Sequence, residues 1–225
     1  MTTDTPPGGD WAAFIRANTG LLTPPLVPEI RLHLAEESLP IWRKTEEELG
    51  EMNIPPPYWA FAWAGGQALA RHLLDNPELA AGADVLDLGA GSGLTAIAAL
   101  KAGARSVLAA DIDRVALRAC ELNARVNGCT LETTAEDLLA AAPDPRFGVI
   151  LVGDVFYERE LAERVLAFVS SAREGGARVL IGDPGRSYFP RARFNKRADY
   201  RVPVTRELED AEIKNTAVWE LASGP

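Results

Sequence analysis

VLDLGAGSGL, residues Val85–Leu94, is the stretch that decides the fold. A short apolar run enters a turn holding Gly89, Gly91 and Gly93, and residues with helical spacing follow at once. Strand, glycine-rich turn and helix in that order form the first βα unit of a nucleotide-binding sheet, where glycine lets the main chain turn sharply and lets a ligand approach it. The spacing is G-x-G-x-G rather than G-x-G-x-x-G, and an acid, Asp87, stands just before it.

The pattern continues on both sides of this unit. Downstream, the spacing predicts a helix over Leu94–Lys101, a strand over Ser106–Ala110, a helix over Arg114–Val126 stopped by Asn127-Gly128, and a short strand over Leu131–Ala135. Gly148–Gly153 (GVILVG) is a continuous apolar strand, as expected when both sheet faces are covered. A helix over Leu161–Ala172 and a strand over Ala177–Gly182 come next. Tyr200–Thr205 and Thr216–Leu221 read as two strands with no helix between them, so a closing antiparallel hairpin is expected. Upstream, Gly66–Asn76 has helical spacing, and Pro55–Pro57 is a stiff connection after the acidic stretch Lys44–Gly50. Asp10 is placed to cap a helix over Trp11–Asn18, Thr23–Pro28 breaks it, and Glu29–Ala35 alternates like a strand. Alternation of this kind builds an α/β, Rossmann-like sheet of seven strands, mostly parallel, with an antiparallel C-terminal hairpin. The expected division is a disordered start over 1–9, an N-terminal extension over 10–65, and a cofactor-binding domain over 66–225.

The chain has 225 residues and a net charge of −9, enough for one sizeable core but a poor match for a polyanion. Nucleic acid is therefore not an expected partner, and the negative field suits a basic group such as a protein lysine. The basic run Arg186–Arg201 (RSYFPRARFNKRADYR) is read as a solvated loop, with a local basic patch as the alternative. No apolar run reaches the roughly 18–20 residues of a membrane span, so no membrane partner is expected. The start MTTDTPPGGD lacks the features of a signal or transit peptide, which points to the cytoplasm. Cys120 and Cys129 suggest neither a disulfide nor a zinc site, and His33 and His72 are too scattered for a metal cluster.

Asp111 ends the second strand, about where such folds place a carboxylate that accepts from both ribose hydroxyls. Asp87 beside the turn would oppose a pyrophosphate, but it suits a ligand with an ammonium and a sulfonium. S-adenosylmethionine has both. A nicotinamide cofactor and a turn with no ligand remain the alternatives. VLDLGAGSGLTAIAALKAGARSVLAADID resembles motif I and the following acidic motif of class I methyltransferases. The resemblance implies that Gly89, Ala90, Gly91 and Gly93 hold the methionine part and that Asp111 holds the ribose, with Asp87 and Ile112 also in the cofactor site. In TTAEDLL (Thr133–Leu139), Glu136 or Asp137 would take the adenine amine; an acid pair at a helix start is the alternative.

The fourth strand runs into GDVFYE, Gly153–Glu158. Its D-V-F-Y differs from the N-P-P-Y of amide and base methylation and is similar to the D-x-x-Y signature of a group of protein-lysine methyltransferases. Asp154 and Tyr157 are thus the candidate catalytic residues, Asp154 also bordering the cofactor; a plain strand-end turn is the alternative. PPPYWAFAWAGGQALARHLLDNP (Pro55–Pro77), PEIRLHLA (Pro28–Ala35) and IGDPGRSYFP (Ile181–Pro190) resemble the electron-transfer flavoprotein β-subunit lysine methyltransferase family over about residues 28–190. That resemblance implies direct transfer to a lysine, S-adenosylhomocysteine as product, and neither metal nor covalent intermediate. The implied partner is the flavoprotein β-subunit, with a ribosomal stalk protein or a small amine as other acceptors and a non-catalytic cofactor-binding module as the rival class. Mitochondrial members carry a targeting segment, so a chain starting this way is expected to be a bacterial-type member. Trp59 and Trp63, four apart, would share a helical face, and either could wall the cofactor or the lysine. Gln67 could meet the methionine carboxylate or simply open the helix.

Overall fold

A computed structural model describes residues 10–35, 57–204 and 212–222. Helix α1 (Trp11–Asn18) starts where Asp10 accepts from the Ala13 N–H at 3.1 Å, and a two-stranded ribbon of β1 (Gly20–Leu22) and β2 (Leu32–Leu34) follows. A single 3₁₀ turn, Tyr58–Ala60, leads into α2 (Ala64–Asp75). The α-helices and strands that follow are β3 (Asp84–Leu88), α3 (Leu94–Lys101), β4 (Ser106–Ala110), α4 (Arg114–Val126), β5 (Glu132–Thr134), β6 (Val149–Gly153), α5 (Arg159–Glu174), β7 (Arg178–Asp183), β8 (Phe194–Pro203) and β9 (Ile213–Leu221). No helix among the described residues is long and apolar enough to cross a membrane.

The main sheet has seven strands in the order β5-β4-β3-β6-β7-β9-β8. Pairings are parallel from β5 to β7, and β9 runs antiparallel to both β7 and β8. Apolar side chains cover both faces of the parallel strands. Val85, Val107, Leu151 and Leu180 pack on the side of α2 and α3, whereas Leu86, Ile150, Val152 and Ile181 pack with Val165, Phe168 and Val169 of α5. The strand order reverses between β3 and β6, which opens a crevice at the carboxyl ends of the strands. A third cluster joins Phe14 and Ile15 of α1, Trp59 of the 3₁₀ turn, and Ala116, Ala119 and Leu122 of α4. The N-terminal helix is thereby packed against α4 and the segment that leads into α2.

Strands β3 and β4 and helices α3 and α4 match their expected limits. The expected antiparallel C-terminal hairpin is present, but β8 begins at Phe194 rather than Tyr200, inside the run read as a solvated loop. The register with β9 slips between Lys196 and Ala198. That bulge changes the phase of the strand, so Phe194 joins the α5 side and Val202 the α2 side. A face switch in mid-strand erases the period-2 signature. Charges also disguise it: Arg197 of β8 donates from Nε to Glu220 of β9 at 2.6 Å, as suits an edge strand that must resist pairing with other chains.

Candidate active site

The glycine turn leaves β3 held against β4, because the Gly89 and Ala90 N–H groups both donate to the Ala110 carbonyl, at 2.9 and 3.1 Å. Gly89, Gly91 and Gly93 all have positive φ, at 72°, 51° and 79°. Gly93 caps α3, and a Cβ there would overlap the buried Cys120 sulfur of α4. Only glycine meets both demands. Asn123, also from α4 and buried, donates to the Ser92 carbonyl at 2.9 Å and accepts from the His33 N–H at 2.7 Å, which ties the turn to the N-terminal ribbon.

Asp87 lies under the turn rather than beside it. One oxygen accepts from Thr95 Oγ1 at 2.6 Å and from the Ala96 N–H at 2.9 Å, at the start of α3. The other, Oδ1, is buried with no hydrogen-bond partner. Burial pushes the Asp87 carboxyl up to about 6, against the two hydrogen bonds that favour its charge. Asp111 turns both oxygens to the main chain, accepting from the Gly91 N–H and the Asp113 N–H at 2.9 Å each. Each oxygen keeps further acceptor capacity, and burial raises this carboxyl as well. Ile112 is 77% exposed beside it, an apolar side chain in search of a cover. Of the two acids after β5, Asp137 caps the next turn through the Leu139 N–H at 3.2 Å and pairs with Arg164 at 2.5 Å, while Glu136 is exposed.

Asp154 follows β6 with φ of 58°, a left-handed conformation that Asp tolerates better than most residues. Its N–H donates to the Gly182 carbonyl of β7 at 3.0 Å. Its Oδ2 accepts from the Gly66 N–H at 2.9 Å, and its Oδ1 accepts from Arg186 Nη2 at 2.7 Å and Nε at 3.2 Å. A Cβ on Gly65 would come within 2.5 Å of Oδ2, so the start of α2 must be bare for this carboxylate to fit. The Arg186 guanidinium also lies 5.6 Å from the centre of the Trp63 ring. Trp63 Nε1 donates to the Tyr58 carbonyl at 2.8 Å, and the Tyr58 and Tyr157 rings, both half-exposed, stand 6.0 Å apart. Burial raises the Tyr157 phenol, and Tyr58, Glu158 and Asp111 add to it.

Gly89, Ala90, Gly91, Trp63 and Asp154 line one cavity together with Tyr58. The candidate cofactor turn and Asp154 therefore meet, whereas Tyr157 stands against Tyr58 outside the lining. Trp59 and Trp63 do not share a helical face: Trp59 belongs to the 3₁₀ turn and is buried, whereas Trp63 is extended and borders the cavity. Gln67 is spent on structure, accepting from the Leu26 N–H at 3.2 Å and donating to the Ala62 carbonyl at 2.7 Å. Nothing in the sequence alone gives a role to Arg186, Tyr58 or Asn123. Each meets the site from a distant segment, so no local spacing marks it. The cavity lining carries the Asp154 carboxylate and no Lys or Arg, which suits the cationic sulfonium of S-adenosylmethionine better than a pyrophosphate; Asp87, with its buried and unpartnered Oδ1, and Asp111, bound to the Gly91 N–H, border the glycine turn without lining the cavity.

The family model "Ribosomal protein L11 methyltransferase (PrmA)" matches residues 68–169. Among solved structures, magnesium protoporphyrin IX methyltransferase from Synechocystis, with bound SAM, is similar in fold at 17% identity, with a TM-score of 0.50 over 69% of this chain and 76% of that one. The electron transfer flavoprotein beta subunit lysine methyltransferase of Xenopus laevis is 41% identical over 92% of this chain and 85% of its own. The Danio rerio protein of the same name is 37% identical over 94% of this chain and 83% of its own. With identity at that level reaching from the N-terminal ribbon to the C-terminal hairpin, the chain belongs to the electron transfer flavoprotein beta subunit lysine methyltransferase family and is an S-adenosylmethionine-dependent methyltransferase.

Proposed function

We propose that the chain methylates a lysine of the electron-transfer flavoprotein β-subunit, and that Asp154 and Tyr157 form its acceptor site. The carrying observation is the placement of Asp154 in the same cavity as the glycine turn, at the strand end facing it. Bound S-adenosylmethionine supplies an electrophilic methyl group on a sulfonium. Asp87 and Gly89–Gly93 would hold its methionine part, Asp111 its ribose beside Ile112, and Glu136 its adenine amine, since Asp137 is committed to Leu139 and Arg164.

The acceptor must arrive as a free amine. At a pKa of about 10.4, only about one lysine in a thousand is neutral at pH 7, a cost of roughly 4–5 kcal/mol. The Trp63, Tyr58 and Tyr157 rings remove water from the head group, which disfavours its charged form. Asp154 orients the nitrogen, and its own placement is fixed by Gly66 and Arg186. The flavoprotein is favoured over a ribosomal acceptor by where the similarities lie. The ribosomal-protein methyltransferase model stops at residue 169 and leaves out Tyr58, Trp63 and Arg186, whereas the flavoprotein-methylating relatives match throughout. The free thiols of Cys120 and Cys129 support a reducing compartment, the cytoplasm.

The test is label transfer from radioactive S-adenosylmethionine to recombinant electron-transfer flavoprotein, with ribosomal proteins and small amines in parallel. Label on a β-subunit lysine is expected. Label on a ribosomal protein alone would remove the substrate and keep the chemistry. Bound cofactor with no labelled acceptor would favour a regulatory module.

A further inference from the structure

Asp154 raises a difficulty for lysine methylation. A lone buried carboxylate beside an amine stabilises its ammonium form and raises its pKa, by about 1–3 units for opposite charges within ~4–6 Å. The reaction needs the neutral amine. Arg186 removes the conflict. Its guanidinium donates twice to Asp154 Oδ1, at 2.7 and 3.2 Å, and its side chain is 19% exposed against 8% for Asp154.

The loop after β7 is built to deliver it. Asp183, at the end of the strand, accepts from the Gly185 N–H at 2.6 Å and the Arg186 N–H at 2.8 Å. Gly185 sits at φ 94°, and a Cβ there would come within 2.8 Å of Arg191 Nη2, so the turn is closed by a second arginine. Trp63 then receives the outer face of the Arg186 guanidinium. Two elements far apart in sequence thus fix one arginine on one carboxylate.

We propose that Arg186 is a positioning residue that neutralises Asp154, so that the site orients the acceptor lysine without holding it as an ammonium. The proposal rests on the lysine-methylation reading above. Other charged or titratable groups act on Tyr157 or on Asp183, next to this pair. Tyr58 precedes α2, Tyr157 and Glu158 follow β6, Asp111 follows β4, and Asp183 and Arg191 belong to the β7–β8 connection. In the wild type Arg186 places a counter-charge directly on Asp154. Without Arg186, the Asp154 charge acts on the incoming lysine with that counter-charge removed.

The experiment is the pH dependence of single-turnover methyl transfer at saturating cofactor and flavoprotein, for the wild type, Arg186→Gln and Arg186→Lys. Under these conditions the rate reports the ionisation of the bound lysine. In R186Q the rise of rate with pH is expected to move up by about one unit, so that transfer at pH 7 falls about tenfold while the profiles converge at high pH. R186K, which keeps the charge, is expected to restore most of the rate at pH 7. Binding of S-adenosylhomocysteine, measured by calorimetry, is expected to be unchanged in both variants. A rate lowered equally at every pH, or an R186K profile that follows R186Q, overturns the proposal and leaves lysine methylation standing. A wild-type enzyme that labels no lysine overturns the lysine reading and this proposal with it.

Discussion

The two halves of the cavity are built from different materials. The proposed cofactor half, after β3 and β4, is main chain. Three glycines at positive φ, a shared carbonyl at Ala110 and two carboxylates that cap N–H groups shape it. The proposed acceptor half, at the ends of β6 and β7 and before α2, is side chain. Asp154, Arg186, Trp63, Tyr58 and Tyr157 come from three segments and meet through an ion pair and ring contacts. Main-chain sites tolerate little change in backbone shape, whereas side-chain sites can lose a group and keep their fold. The halves should therefore fail in different ways when mutated.

The largest effect is expected from Asp154→Asn set beside Asp111→Ala. Asparagine also accepts the left-handed conformation and has nearly the same shape, so D154N should fold. Methyl transfer is expected to fall about 10²–10³-fold, as when a positioned polar group at a reacting centre is lost, while cofactor affinity stays within a few-fold. D111A removes acceptors for two hydroxyls and should weaken cofactor binding about 30–150-fold, at roughly 1–1.5 kcal/mol per hydrogen bond. Raising the cofactor concentration should restore most of its rate. Calorimetric titration and rates at two cofactor concentrations separate the variants. Equal loss of affinity in both would erase the division between the halves.

A smaller effect, on stability first, follows from Gly93→Ala. The left-handed conformation costs alanine about 1–2 kcal/mol, and overlap with Cys120 adds about 1–3 kcal/mol. Urea unfolding should show both contributions. Cys120→Ala in the same chain should recover only the overlap part, because the backbone strain remains. Full recovery would mean that the positive φ of 79° at Gly93 carries no cost.

The same contrast explains which parts of the site are legible in the sequence. Glycine spacing is local, so VLDLGAGSGL announces the turn, and Asp111 follows from its distance along the chain. The limits of β3, α3, β4 and α4 are legible because apolar period and glycine stops agree there. Asp154 and Tyr157 stand out in the sequence as a strand-end motif, and the structure brings Asp154 into the cavity. Their partner Arg186 is not, since an arginine 32 residues away looks like any other basic residue until β6 and β7 pair. Asp87 can be found, but its placement cannot: a carboxylate in a strand gives no sign of which oxygen the next helix will take. The bulge in β8 hides its own strand by exchanging its two faces.

Asp87 supplies the smallest and sharpest test of the main-chain half, through pH. Its carboxyl titrates near 3.8 when unfolded and at about 6 when folded. The folded chain thus holds the extra proton between those values, and its stability falls as pH rises through that window. The contribution is fully present below about pH 4 and lost above about pH 6, and two pKa units correspond to about 3 kcal/mol. Asp87→Asn can still accept from Thr95 and Ala96 but carries no charge, so its stability should change less across this window. The difference between variant and wild type should grow from near zero at pH 4 toward that value at pH 7, in unfolding experiments without cofactor. Cofactor affinity should show the opposite preference. The charged Asp87 would attract an ammonium from beneath the glycine turn, so wild-type affinity should rise from pH 5 to pH 7, and D87N should bind about tenfold more weakly at pH 7 with little difference at pH 5. If D87N follows the wild type in both stability and affinity, the unpartnered oxygen holds no charge for the cofactor, and the ammonium is received by the glycine turn alone.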